Sequence, residues 1–173
     1  MASFTEREIT EQTLDYRVLR DGGISLYRNL TFLDEDTRLL AGVGYRVVSI
    51  DCTKWISITA MHDSISAALQ FPDYHGRNLH ALNDCLRDDI LIGEECGLLL
   101  NLLSLPNGNP EAKGLPAEAI LDIATRAIRE HMLAVRRFLA FVQTENPWTS
   151  FEKLGGVSAI WNRREWLNRD RGL

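Results

Sequence analysis

The spacing of apolar residues changes period several times along this chain, and each change marks an element. Residues 1–12 are polar and are expected to fray. Tyr16 and Val18, then Ile24, Leu26 and Tyr27, flank Arg20-Asp21-Gly22-Gly23, whose glycines accept the positive φ of a tight turn. That spacing predicts two short antiparallel strands, an N-terminal β-hairpin. A helical pattern runs from about Asp34 to Ala41, its first acids favoured by the helix dipole, and Gly42 or Gly44 ends it. Tyr45–Asp51 reads as a strand. Ile58, Met61, Ile65, Ala68 and Leu69 mark one face of a helix over about 59–70, which Pro72 stops.

After a second helix that begins at Leu79, CGLLLNLLSL is a continuous apolar run of strand length, the pattern of a strand covered on both faces. Asn101 interrupts it and needs a partner if buried. Residues 105–115 form a turn-rich loop. Pro116 opens a helix to about Leu133, with Ile120, Ile123, Ala124, Ala127 and Ile128 on one face. RRFLAFVQT predicts a last core strand over 138–142, although its local pattern also permits helix. A tail helix is expected around 158–168, anchored by Trp161 and Trp166. Strands alternating with helices predict an α/β layered fold: a small parallel sheet covered by helices, with the hairpin added.

Composition narrows the class. A chain of 173 residues, 45 % hydrophobic and 25 % charged, suits a single soluble globular domain with some length to spare. The N-terminus has no apolar stretch of signal-peptide type, and no segment approaches a membrane span. Three cysteines (Cys52, Cys85, Cys96) make no disulfide framework and suit a reducing cytoplasm. The net charge is −5, and the segment from Ala60 to Cys96 accounts for all of it, with seven acids against Arg77 and Arg87. Such a patch repels nucleic acid and draws a basic partner, although charges of this kind also simply solvate a helix face.

The centre of that acidic segment is PDYHGRNLHALNDCLRD, Pro72 to Asp88. Pro72, Gly76 and Asn78 punctuate a loop, and helical spacing begins at Leu79 with Asn78 as a predicted N-cap. Leu79, Leu82 and Leu86 fall on one face with Ala81 and Cys85 beside them. His80, Asn83, Asp84, Arg87 and Asp88 fall on the other, and the loop presents Tyr74, His75 and Arg77. A rigid acidic and aromatic surface of this kind suits recognition better than catalysis.

This run resembles the binding loop and helix of the barstar family, small intracellular inhibitors of barnase-type ribonucleases. The shared pattern is P-x-Y-x-G-x-N-L-x-A-L-x-D-C-L, matched in register at Pro72, Tyr74, Gly76, Asn78, Leu79, Ala81, Leu82, Asp84, Cys85 and Leu86. The likeness spans roughly Tyr45 to Val142. It implies a three-stranded parallel sheet covered by helices over about 45–145, with residues 1–44 as an extension and 146–173 as a helical tail. It further implies that Asp84 enters a ribonuclease active site as a phosphate mimic facing basic residues. Tyr74, His75, Gly76, Arg77, Asn78, His80, Asn83 and Asp88 would surround it. Tyr74 offers a rigid amphipathic contact; Gly76 either admits a close backbone approach or serves the turn.

Two positions depart from the family pattern. His80 stands where an acidic residue is usual and can place positive charge beside Asp84 when protonated; Asn83 stands where a tryptophan is usual. Across the gapped register Arg126 also falls near where an acidic contact is expected. The expectation is therefore a non-enzymatic, cytoplasmic, bacterial-type immunity protein whose partner is a ribonuclease or another basic protein. The alternative is a barstar-fold interaction or regulatory module with a non-nuclease partner. No catalytic set, cofactor or metal is expected: His75, His80, Cys85 and Cys96 lack metal-ligand spacing, and no phosphate-binding glycine loop is present. Arg163, Arg164, Arg169 and Arg171 give a basic tail, read with Trp161 and Trp166 as a docked amphipathic helix rather than a nucleic-acid contact.

Overall fold

The computed structural model of the chain describes residues 4–73, 76–90, 92, 97–106 and 117–166. Its elements run α1 (Glu6–Glu11), α2 (Leu14–Arg20), β1 (Ile24–Tyr27), α3 (Leu30–Gly42), β2 (Arg46–Asp51) and a 3-10 turn at Cys52–Lys54. There follow α4 (Ile58–Leu69), α5 (Leu79–Asp84), a π-helical turn at Cys85–Asp89, and β3 (Gly97–Leu103). The chain continues through α6 (Ala117–Leu133), β4 (Arg137–Gln143), β5 (Ile160–Trp161) and α7 (Arg163–Trp166). The five strands form one parallel sheet in the order β2-β3-β4-β1-β5.

Both faces of the sheet are covered, as its continuous apolar strands require. The register aligns Ser49, Asn101, Phe141 and Ser25 on one face. There the amide NH2 of Asn101 donates to Thr37 Oγ1 of α3 (3.2 Å) and to Ser49 Oγ (3.3 Å), which satisfies its donors in a buried strand, while its Oδ1 finds no partner among the described residues. Tyr27 adds a hydroxyl donated to Asp36 Oδ2 of α3 at 2.8 Å. On the other face Phe138 meets the ring of His131 of α6 edge-on, centroids 5.9 Å apart. The α/β layered fold with a parallel sheet between helices is thus as the sequence predicts.

The N-terminal region is not a hairpin. Leu14, Val18 and Leu19 are buried from one face of helix α2, and Gly22 and Gly23 end that helix instead of turning a strand. The Gly23 N–H donates to Val18 O (2.7 Å) and the Gly22 N–H to Leu19 O (3.2 Å), a Schellman motif whose φ values of 108° and 85° glycine adopts freely. β1 then enters the sheet parallel to β4, all four of its residues buried. Gly22-Gly23 fits a helix stop as well as a hairpin turn; the parallel pairing of β1 with β4 decides between them.

Nor is the start of the chain frayed from Thr5 onward. Thr5 caps α1 in a reciprocal capping box with Glu8. Arg137 of β4 then holds the helix down: Nη1 lies 2.8 Å from Glu8 Oε1 and 2.9 Å from Asp15 Oδ2, and the guanidinium stacks 4.1 Å over the Phe4 ring. The hydrogen bond from Arg137 lowers the Glu8 carboxyl from an ordinary 4.5 to about 2. A carboxyl whose pKa falls on folding stabilises fully above its unfolded value and loses that contribution as pH drops through its folded value. Thermal midpoints of the wild type and Glu8→Gln are therefore expected to differ at neutral pH and to converge between about 4.5 and 2. A difference unchanged at the acid end of that window would contradict the assignment.

The tail differs as well. Trp161 is buried in the two-residue strand β5 beside β1, and its indole N–H donates to Thr149 O (3.1 Å). Only Arg163–Trp166 is helical among the described tail residues, and Trp166 is 68 % exposed. Beside Trp161 a second anchor is Glu165, fully buried, whose Oε1 accepts from the N–H groups of Arg28 (2.9 Å) and Asn29 (2.7 Å). Arg164 adds a second clamp to α3 through Glu35, Asp36 and the Phe32 carbonyl. Docking of this segment is as expected; its form is not. Most of the turn-rich loop after Leu105, residue Pro116, and Arg169 and Arg171 lie outside the described residues.

Candidate functional site

The helix motif folds locally as its spacing demands. Asn78 has extended backbone and its Oδ1 accepts from the Ala81 N–H at 2.9 Å, capping α5. A Cβ on Gly76 would lie 2.9 Å from Asn78 Nδ2 and 3.4 Å from Ala81 Cβ, so glycine here leaves room for the cap. Arg77 reaches back to α4, its Nε 2.6 Å from Asp63 Oδ1, and ties the loop to the scaffold. Tyr74 and His75 lie outside the described residues. Asn78→Ala is expected to destabilise the fold by about 1 kcal/mol, read as a lower denaturant midpoint at unchanged slope.

Leu82, Cys85 and Leu86 are buried, while His80, Asp84, Arg87 and Asp88 are exposed and Asn83 is half-buried. The α-helical register gives way after Asp84 to one π turn, a feature that often accompanies functional sites. His131 of α6 supports this turn: its Nε2 lies 2.9 Å from Leu86 O. Burial lowers the His131 pKa, so the neutral ring donates Nε2–H to that carbonyl. Burial and a hydrogen bond with Asp89 push the Cys85 thiol up to about 12, which leaves it protonated and unreactive at neutral pH.

Charge on the exposed face is distributed unevenly. Arg87 is held by Asp88 (2.8 Å) and approaches Glu130 of α6 (3.5 Å). That hydrogen bond with Arg87 lowers the Asp88 pKa. Arg77 is likewise spent on Asp63. Asp84 accepts only from the Asn83 amide, at 3.3 Å, and among the described residues it has no cationic partner. Both bases of the segment are thus ion-paired elsewhere, and Asp84 faces solvent, feeling Arg87 only as a weaker, longer-range charge. His80 is exposed one helical turn before it. Arg126 pairs with Asp122 of its own helix at 2.8 Å.

Sequence reasoning missed Glu130 and His131. The signal for His131 was present: it continues the stripe of Ala124, Ala127 and Ile128 at helical spacing, a position that points inward. Nothing in the local pattern linked Glu130 to Arg87, because that pairing joins two elements distant in the chain.

A three-layer α/β scaffold thus carries the exposed face of α5, with Asp84 on it, behind a capped loop. The family described as Barstar (barnase inhibitor) matches residues 45–143, more than half of the 173, and the chain belongs to it. The "Putative ribonuclease inhibitor YrdF" of Bacillus subtilis (strain 168) is 49 % identical over 41 residues, which is 24 % of this chain and 45 % of that protein. The chain therefore aligns with less than half of that relative's length. A chain in "Structure of Drosophila ORC bound to AT-rich DNA and Cdc6" superposes with a TM-score of 0.51 over 96 % of this chain and 59 % of that one. At 18 % identity that likeness is one of fold alone.

Proposed function

We propose that the protein is a non-enzymatic ribonuclease inhibitor that blocks a nuclease active site with the acidic face of α5 and the π turn. The observation that carries this reading is Asp84, exposed and making no ion pair among the described residues, in a chain of the Barstar family. A nuclease active site gathers Arg and Lys to bind phosphate, and a fixed carboxylate supplies the matching charge and acceptor geometry. Tyr74, His75, Gly76, Arg77, Asn78, His80, Asn83 and Asp88 surround the contact in this reading, with Asp88 at the rim. The chain would protect the producing bacterial-type cell, in the cytoplasm, as an antidote or immunity protein. Among the described residues no helix is long and apolar enough to cross a membrane.

Titration of a host ribonuclease with the purified chain tests this. The expected result is stoichiometric loss of RNA hydrolysis, with association that slows as salt rises because the encounter is steered by charge. Inhibition insensitive to salt would remove the electrostatic mechanism. A second reading, a barstar-fold regulatory module with a non-nuclease partner, is favoured by His80 and Asn83, which alter the charge and bulk of the contact face.

A further inference from the structure

A cavity of about 300 Å³ lies between α2, β1 and the segment that follows β5, on the α3-covered side of the sheet and in the opposite layer from Asp84. Leu14, Val18, Ile160 and Trp161 give it apolar walls, and the Ser25 hydroxyl belongs to the buried strand beside them. Its charges do not cancel. Of the acids on its wall, Asp21 is paired with Arg20 and Asp36 with Arg164. Arg17 and Arg163 also line it, and among the described residues neither guanidinium makes an ion pair or hydrogen bond.

We propose that this cavity binds a small organic anion, a carboxylate or a phosphate monoester carried on an apolar body. Two guanidinium groups without an ion pair among the described residues offer forked donors that match an oxyanion, and contact with apolar walls strengthens such bonds relative to open water. The walls make the apolar body part of the recognition, so a bare inorganic anion fits less well. The volume falls at the small end of ligand sites. A divalent cation does not fit, because both wall carboxylates are already neutralised by arginines. The site stands independently of the inhibitor reading, since it shares no residue with the α5 face.

Calorimetric titration of the full chain tests the proposal. The probes are phenyl phosphate and benzoate, with inorganic phosphate and benzyl alcohol as the two halves of the ligand. One of the two oxyanion probes is expected to bind saturably at one site, at least about tenfold tighter than either half, and the preferred probe identifies the head group. Arg17→Met and Arg163→Met, each of which removes charge and keeps an aliphatic stem, are expected to weaken it about tenfold without moving the thermal midpoint. Arg126→Met, at an exposed pair elsewhere, is expected to bind as wild type does. Should Arg17→Met fail to fold, the exposed Arg163 carries the same test. The proposal is overturned if neither probe saturates, if inorganic phosphate binds equally well, or if affinity is indifferent to both arginines.

Discussion

Asp84→Ala is expected to raise the inhibition constant against the partner ribonuclease by about 30-fold or more, on the order of 2 kcal/mol, the level at which an interface residue counts as a hot spot. The size follows from three features. The carboxylate is exposed in the free chain, and only a long hydrogen bond from the Asn83 amide, at 3.3 Å, competes for it among the described residues. It stands on a helix fixed by the Asn78 cap and by burial of Leu82 and Leu86, so little ordering cost opposes binding. Its two neighbouring arginines are already neutralised. Asp84→Asn should lose most of the same affinity, since charge rather than shape is removed. Stability should change by no more than about 0.5 kcal/mol in either variant, as for other exposed sites. Asp88→Ala is expected to cost less, because Arg87 already compensates Asp88. An inhibition constant that moved less than about twofold with Asp84→Ala would remove this residue from the contact.

The second large effect falls on stability. Glu165→Ala is expected to destabilise the protein by about 2–6 kcal/mol, because it strips the acceptor from the Arg28 and Asn29 N–H groups, each costing about 1–3 kcal/mol when left unpaired. For a chain of this size that corresponds to a fall in thermal midpoint of roughly 5–15 °C. β1 and β4 are neighbours whose following segments leave toward opposite faces: α3 covers one, while Gly155 is bonded to Asp122 and Arg129 of α6 on the other. Open parallel sheets commonly take ligands at such a divergence. Here the chain's own Glu165 carboxylate sits there, at the start of α3, and joins the tail to the sheet. Glu165→Gln retains an acceptor oxygen and is expected to lose less. A midpoint for Glu165→Ala within about 1 °C of wild type would mean that the tail is not held by this contact.

Where the sequence was legible, the reason was a strong periodic signal of sufficient length. The continuous apolar run at β3, the wide apolar stripe of α6 and the Asn78 cap before α5 each left one good solution, and the structure adopts it. The N-terminal segment misled because a short run from Leu14 to Tyr27 carries too few periods to separate a helix from a strand, and Gly22-Gly23 serves both endings. Long-range pairing decided it: β1 is built to lie beside β4, which no local pattern discloses. The tail misled for a related reason. Its tryptophans suggested two anchors: Trp161 is one, buried beside β1, but Trp166 stays exposed, and the other fixed group is the carboxylate of Glu165. At the candidate site the exposed and buried faces of α5 were readable from spacing alone. The π turn, its support by His131 and the compensation of Arg87 by Glu130 depend on α6 and were not.

Capture of a ribonuclease from a lysate of the organism that encodes the chain, on the immobilised wild-type protein, tests the central claim most directly. A ribonuclease that is retained, silent while bound and active once released is the result predicted by an inhibitor that blocks an active site. Retention of a partner without nuclease activity, or of a ribonuclease that still cleaves RNA while bound, would contradict it.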